Sequence, residues 1–161
     1  MTAKAEPVRL NLRDPVVLIA TCFGAGLVRW APGTVASALA LPFAWLLRTY
    51  TGTLGLAIAT LVLIVIGIWA AGAYERRTGT RDSSAIVIDE VAGQFVALLL
   101  VPPTIAVYAV GFVLFRLFDV AKPWPISLLD RRVKGGLGVM LDDIVAGVLA
   151  AVLLWNVWIW L

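Results

Sequence analysis

Apolar residues fall into five long blocks separated by short polar, proline or glycine interruptions. Residues 34–47 form the first, with Pro42 inside it; 54–74 is an unbroken run without a charge. Residues 85–101 carry Asp89 and Glu90 near their start, Pro102-Pro103 stops that block, and 104–118 runs on from there. The last block, 144–161, ends in Trp155-Asn156-Val157-Trp158-Ile159-Trp160, a tryptophan-rich stretch suited to a membrane interface. Long runs without strict alternation predict helices, and about 20 apolar residues cross a bilayer as one helix. A shorter run, 16–28, follows Asp14-Pro15, an N-cap and first helical residue. It is too short to span and predicts an interfacial or re-entrant helix. The expected fold is all-α: a polytopic membrane helical bundle of four or five membrane segments plus this N-terminal helix, with 1–161 as one membrane-embedded domain.

Composition supports lipid as the solvent. The chain is 61% hydrophobic and 14% charged, whereas soluble domains are about 45–50% apolar and about 25% charged. A chain this short has no core large enough to hide the excess. No histidine is present, which excludes histidine metal ligands, phosphohistidine intermediates and Ser-His-Asp relays. The single cysteine, Cys22, excludes an intramolecular disulfide and is expected to serve packing. A net charge of +3 favours anionic lipid headgroups over nucleic acid as partner. Arg29-Trp30 follows the first apolar run without a small-residue cleavage site, so that run does not read as a signal peptide.

Loop charges orient the chain. Lys4, Arg9, Arg13 and Arg29 precede the first span; Arg76, Arg77 and Arg81 follow the second; Lys122, Arg131, Arg132 and Lys134 follow the fourth. The opposite loops hold Arg48 in one case and no charge in the other. The positive-inside rule then places the N-terminus in the cytoplasm and the C-terminus outside. On that topology Asp89, Glu90, Asp119, Asp142 and Asp143, with Asp130 in a connecting loop, gather at the cytoplasmic rim: six of the ten acids. The segments around Asp89-Glu90 and Asp142-Asp143 echo each other, each with a glycine about one turn later, Gly93 and Gly147. Such glycines let neighbouring helix backbones approach closely.

Adjacent carboxylates at a membrane boundary are costly and raise one another's pKa unless a cation neutralises them. Oxygen ligands without His or Cys select Mg²⁺, Mn²⁺ or Ca²⁺. First-turn acids also serve as helix caps, which explains one acid per helix but not two adjacent pairs plus Asp119. Arg116 and Asp119 are spaced i, i+3 on one helix face, so Arg116 is either a structural partner of Asp119 or a phosphate ligand. Lys122 and Arg131, with Arg132, suit a phosphate, although Arg132 and Lys134 also fit the positive-inside pattern. Gly135-Gly136-Leu137-Gly138 reads either as ordinary loop or as a turn that presents backbone N–H groups to a phosphate. In Ala31-Pro32-Gly33-Thr34, Thr34 is either an N-cap or a hydroxyl donor to phosphate. Some phosphatase chemistries fail on spacing. Cys22 and Arg29 are one residue too far apart for the cysteine-phosphatase loop, Asp89-Glu90-Val91 lacks the second aspartate of a DxD nucleophile, and the CDP-alcohol phosphotransferase pattern is missing.

Taken together, Ala31-Pro32-Gly33-Thr34, Ile88-Asp89-Glu90-Val91-Ala92-Gly93, the segment from Phe115 to Pro123, Pro125-Ile126, Asp130-Arg131 and the segment from Gly135 to Asp143 resemble the phosphatidylglycerophosphatase A family. The matches run in order from about residue 23 to 147. The resemblance implies an all-helical, Mg²⁺-dependent enzyme of the bacterial inner membrane that removes the terminal phosphate of phosphatidylglycerophosphate to leave phosphatidylglycerol. It implies that Asp89, Glu90, Asp142 and Asp143 hold the metal. Asp89, Asp119, Lys122, Asp130 and Arg131 are the expected catalytic residues, with Asp119 as ligand or base. Thr34, Arg116, Lys122, Arg131, Gly135 and Gly136 are expected at the phosphate. A phospho-aspartate on Asp119 or Asp89 is the variant mechanism. The rival reading is a small ion- or proton-coupled transporter, whose acids usually sit near the bilayer midplane.

Overall fold

A computed structural model describes residues 12–81 and 83–160, all helix, turn or loop with no strand among them. Lys4 and Arg9 of the orientation argument lie outside the described residues. The helices are α1 (Pro15–Ala20), α2 (Pro32–Thr78), α3 (Ile88–Leu98), α4 (Ile105–Ala121), α5 (Ile126–Arg132) and α6 (Gly135–Trp158). α1 starts as expected: the Asp14 carboxylate accepts the Val16 N–H at 2.9 Å and Pro15 follows it. The 16–28 run is nevertheless not one helix. Cys22 and Phe23 adopt positive φ, and the Thr21 hydroxyl accepts the Gly24 N–H. Only a short 3₁₀ turn, Ala25–Leu27, follows.

The 47 residues of α2 do not form a rod. Gly52, at φ +69° and ψ −166°, takes a backbone conformation that glycine adopts without steric cost. A Cβ on Gly33 would meet Glu90, and one on Gly67 would meet the Ile88 side chain. Those two glycines would be about 50 Å apart on a straight helix, yet both reach the start of α3. The arms 32–51 and 53–78 therefore return alongside each other, matching the two expected blocks.

Three expected boundaries are corrected. The 85–101 block yields an α3 of only 11 residues, about 16 Å long. It ends in turns before Pro102-Pro103, where proline cannot supply the helix N–H. Asp130 lies in α5 rather than in a loop. α6 begins at Gly135, well before residue 144, with Gly136 packed against α2 and Gly138 against Val133. A Cβ on Gly136 would lie 2.0 Å from the Ile68 carbonyl oxygen.

α3 is wrapped by α2, α4 and α6, and its residues from Ala92 to Leu98 are all buried. The sequence echo becomes a helix crossing here. A Cβ on Gly147 would lie 2.4 Å from the Gly93 carbonyl oxygen, and one on Gly93 would lie 2.7 Å from that of Asp143. The outward faces are apolar: Phe43, Leu61, Val65, Val113, Val120 and Val152 are all exposed. Two helices, Pro32–Thr78 and Gly135–Trp158, are long and apolar enough to cross a membrane. α1 and the 3₁₀ turn cover the loop before α3: the Val87 N–H donates to the Ala20 carbonyl at 2.9 Å, and Arg77 pairs with Asp14.

Candidate active site

The helix directions bring the start of α2, the first turn of α3, the last turn of α4 and the third turn of α6 to one end of the bundle. There Asp89, Glu90 and Asp143 each place a carboxylate oxygen within 4.8 Å of the others. Asp89 Oδ1, Glu90 Oε2 and Asp143 Oδ2 are buried and have no hydrogen-bond partner. Asp119 is an electrostatic neighbour of both Glu90 and Asp143. Asp143 is only 3% exposed, so water does not screen this charge. Helix capping accounts for part of it, since Asp89 and Glu90 occupy the first turn of α3. It does not account for Asp142 and Asp143, because the first turn of α6 holds no acid. Three converging carboxylates with orphaned buried oxygens and no nitrogen or sulfur donor fit a hard divalent cation.

Of the four expected metal ligands, Asp142 stands apart. Successive helical residues point about 100° apart, so Asp142 turns its Oδ2 away from Asp143 toward Lys122, while its Oδ1 is buried without a partner. Lys122 Nζ donates to Asp142 Oδ2 at 2.6 Å and to Asp130 Oδ1 at 2.8 Å. Burial works against the Lys122 charge, but these two carboxylates hold its pKa above the ordinary lysine value. The Lys122 ammonium in turn keeps Asp130 below the usual carboxylate range. Arg116 donates to Asp119 Oδ2 at 2.5 Å, the structural pairing that the i, i+3 spacing allows. Its Nε is buried without a partner and remains available to a ligand.

The remaining expected residues divide. Gly33 abuts Glu90 Oε1 and Arg116 Nη1, which puts the first turn of α2, including the half-buried Thr34, beside the carboxylates. Thr34 is not the N-cap; Ala31 is, at φ +46° and without a side-chain cap bond. Gly135 lines a polar cavity of about 170 Å³ with Glu75, Arg81, Asp130, Lys134 and Asp142, whereas Gly136 is spent on packing against α2. Arg131 is exposed on α5 and acts electrostatically on Asp130, away from the three converging carboxylates. Cys22 is not a thiolate nucleophile: burial, then the nearby Glu90 charge, push its thiol up to about 12. Sequence reasoning passed over Gln94. It is fully buried with both amide atoms unpartnered, one turn beyond Glu90 on the same helix face. A lone amide in an apolar run, four residues from an acid, was the available signal.

The comparisons with known proteins agree. A family model described as phosphatidylglycerophosphatase A matches residues 18–158. The phosphatidylglycerophosphatase A of Escherichia coli K12 is 40% identical over 148 residues, covering 91% of this chain and 86% of that protein. That of Haemophilus influenzae Rd is 30% identical over 162 residues, covering 100% of this chain and 99% of the relative. A Bacteroides thetaiotaomicron protein provisionally named a phosphatidylinositol-3-phosphatase is 40% identical over 146 residues, 86% of this chain and 90% of its own. No solved structure matches. With a family model across most of its length and relatives matched nearly end to end, the chain belongs to the phosphatidylglycerophosphatase A family.

Proposed function

We propose that this chain is a Mg²⁺-dependent phosphatase that converts phosphatidylglycerophosphate to phosphatidylglycerol in a bacterial inner membrane, with its active site facing the cytoplasm. The observation that carries the reading is the set of buried, unpartnered oxygens on Asp89, Glu90 and Asp143, flanked by Arg116 and Lys122. The two arms of α2, with α4 and α6, form four membrane segments. α3, about 16 Å long, enters from the same side as a buried half-span. Arg76, Arg77, Arg81, Arg131, Arg132 and Lys134 all lie near the carboxylate end, which the positive-inside rule assigns to the cytoplasm.

Asp89, Glu90 and Asp143 would hold the Mg²⁺, with Asp119 at the edge of the set. When bound, the ion supplies Lewis-acid polarisation of the phosphoryl group, an effect of several kcal/mol on transition-state charge. Arg116 donates through its free Nε to a phosphoryl oxygen, and Lys122 adds positive charge where charge develops. Asp119, fixed by Arg116, accepts a proton from the attacking water. The water oxygen bonds to phosphorus, the ester bond to the glycerol oxygen breaks, and that oxygen leaves as the alcohol with a proton taken from solvent, while Asp119 returns its proton to solvent. The polar cavity lined by Arg81, Lys134 and Gly135 admits the headgroup from the aqueous side. The transporter alternative calls for acids near the midplane, whereas Asp89 and Glu90 start α3 and Asp119 lies in the last turn of α4, with Asp143 beside them in the third turn of α6.

Purified protein with micellar phosphatidylglycerophosphate should release inorganic phosphate in the presence of Mg²⁺ and stop on chelation. Release that continues undiminished after chelation removes the metal reading. No release at all, with cation flux in vesicles instead, favours the transporter.

A further inference from the structure

The opposite end of the bundle carries a second set of unpartnered groups that phosphate chemistry at the carboxylates does not use. A cavity of about 500 Å³ lies between α2 and α4, lined by Leu41, Pro42, Trp45 and Leu46 on one side and Ile105 and Tyr108 on the other. It is almost wholly apolar. Leu41, Trp45 and Arg48 are spaced i, i+4, i+7 and so share one face of α2, with Arg48 one turn beyond Trp45. Arg48 lies about 22 Å along the helix from Gly33 and the carboxylates.

Arg48 acts electrostatically on Tyr108. Its Nε and the Tyr108 hydroxyl are both buried with no hydrogen-bond partner. Tyr108 is 3% exposed, and its ring is fixed edge-on against Trp45 at 5.3 Å between centroids. Trp158 packs into the same apolar cluster, and its indole N–H is also buried and unpartnered. No acid lies near enough in the chain to neutralise Arg48: residues 15–74, 91–118 and 144–161 contain no Asp or Glu. Buried polar groups are nearly always hydrogen-bonded, and Arg48 is half-buried with its Nε fully covered. A cluster of donors around Tyr108, which lines the apolar groove, therefore calls for an anion attached to a hydrocarbon chain.

We propose that this end binds an anionic phospholipid of the opposite leaflet, its phosphate on Arg48 and Tyr108 and an acyl chain in the groove between α2 and α4. Charge complementarity selects an anionic over a zwitterionic headgroup, and the apolar lining selects a lipid over free phosphate. The site is separate from catalysis, so binding and hydrolysis are expected to vary independently.

Native mass spectrometry of the full chain in detergent tests this, with dioleoylphosphatidylserine, dioleoylphosphatidylglycerol, dioleoylphosphatidylcholine and glycerol 3-phosphate as probes. The expected result is one tightly held phosphatidylserine or phosphatidylglycerol, at least tenfold preferred over phosphatidylcholine, and no retention of glycerol 3-phosphate. Arg48→Ala should abolish that preference and Tyr108→Phe should weaken it severalfold, while hydrolysis of micellar substrate stays unchanged. Should Arg48→Ala fail to fold by circular dichroism, Tyr108→Phe decides the matter. Equal retention of phosphatidylserine and phosphatidylcholine overturns the proposal. So does a preference that survives the folded variant, or one confined to phosphatidylglycerol, the product of the proposed reaction.

Discussion

The Asp143→Asn protein is expected to lose on the order of 10³-fold in kcat while keeping its helical content. The loss follows from the arithmetic of several kcal/mol of charge stabilisation at about 1.4 kcal/mol per factor of ten. Asp143 is one of three carboxylates whose oxygens converge, and an amide supplies only one neutral acceptor where an anion stood. Asp142→Asn should behave differently although it is the adjacent residue. Asp142 receives Lys122, so its loss frees the ammonium without removing a converging oxygen. The expected cost is about tenfold in rate, the range for disturbing an outer-shell partner, with little change in the Mg²⁺ concentration needed for half-maximal rate. For Asp143→Asn that concentration should rise steeply. Rate measurements across a Mg²⁺ titration separate the two, and matching behaviour would show that the pair is not divided as described.

The second large effect is structural. Gly147→Ala should destabilise the bundle and impair catalysis together, because its Cβ would lie 2.4 Å from the Gly93 carbonyl oxygen. A backbone atom cannot swing aside as a flexible side chain can, so α6 must move away from α3. Overpacking of this kind costs about 1–3 kcal/mol. Asp143 lies one turn before Gly147 on α6, so the same shift draws its carboxylate from Asp89 and Glu90. Val148→Ala, at an exposed neighbouring position, should stay within about 0.5 kcal/mol of the parent. Thermal unfolding in detergent together with phosphate release reads both consequences. A stable, fully active Gly147→Ala protein would contradict the close crossing of α3 and α6.

Much of this architecture was legible in the sequence because lipid-facing helices leave a simple signature. The 54–74 run, the Pro102-Pro103 stop and the Asp14 N-cap each follow from one local rule, and the structure has all three. Glycine misled where its role was tertiary. Gly135-Gly136-Leu137-Gly138 looks like a loop, and only contact with α2 explains why it is helix. The site was legible as a set of acids at one end of the helices, since the order and lengths of the apolar blocks bring their starts and ends together. Its internal division was not. Which of Asp142 and Asp143 faces Asp89 depends on the rotation of α6, and that is fixed by the Gly93–Gly147 crossing rather than by spacing along the chain. That Gln94 and the Arg48–Tyr108 cluster carry unpartnered atoms was illegible for a related reason: such an atom is recognised only once its neighbours are known.

Whether Asp89, Glu90 and Asp143 hold a divalent cation can be read by electron paramagnetic resonance, with Mn²⁺ titrated into the purified protein as a stand-in for Mg²⁺. The wild-type chain should remove Mn²⁺ from the free six-line signal saturably, in competition with Mg²⁺, and Asp143→Asn should bind at least tenfold more weakly, while Asp142→Asn stays near wild type. Mn²⁺ uptake that is equal in the wild-type and Asp143→Asn proteins, or undetectable in both, would contradict a cation site at these three carboxylates.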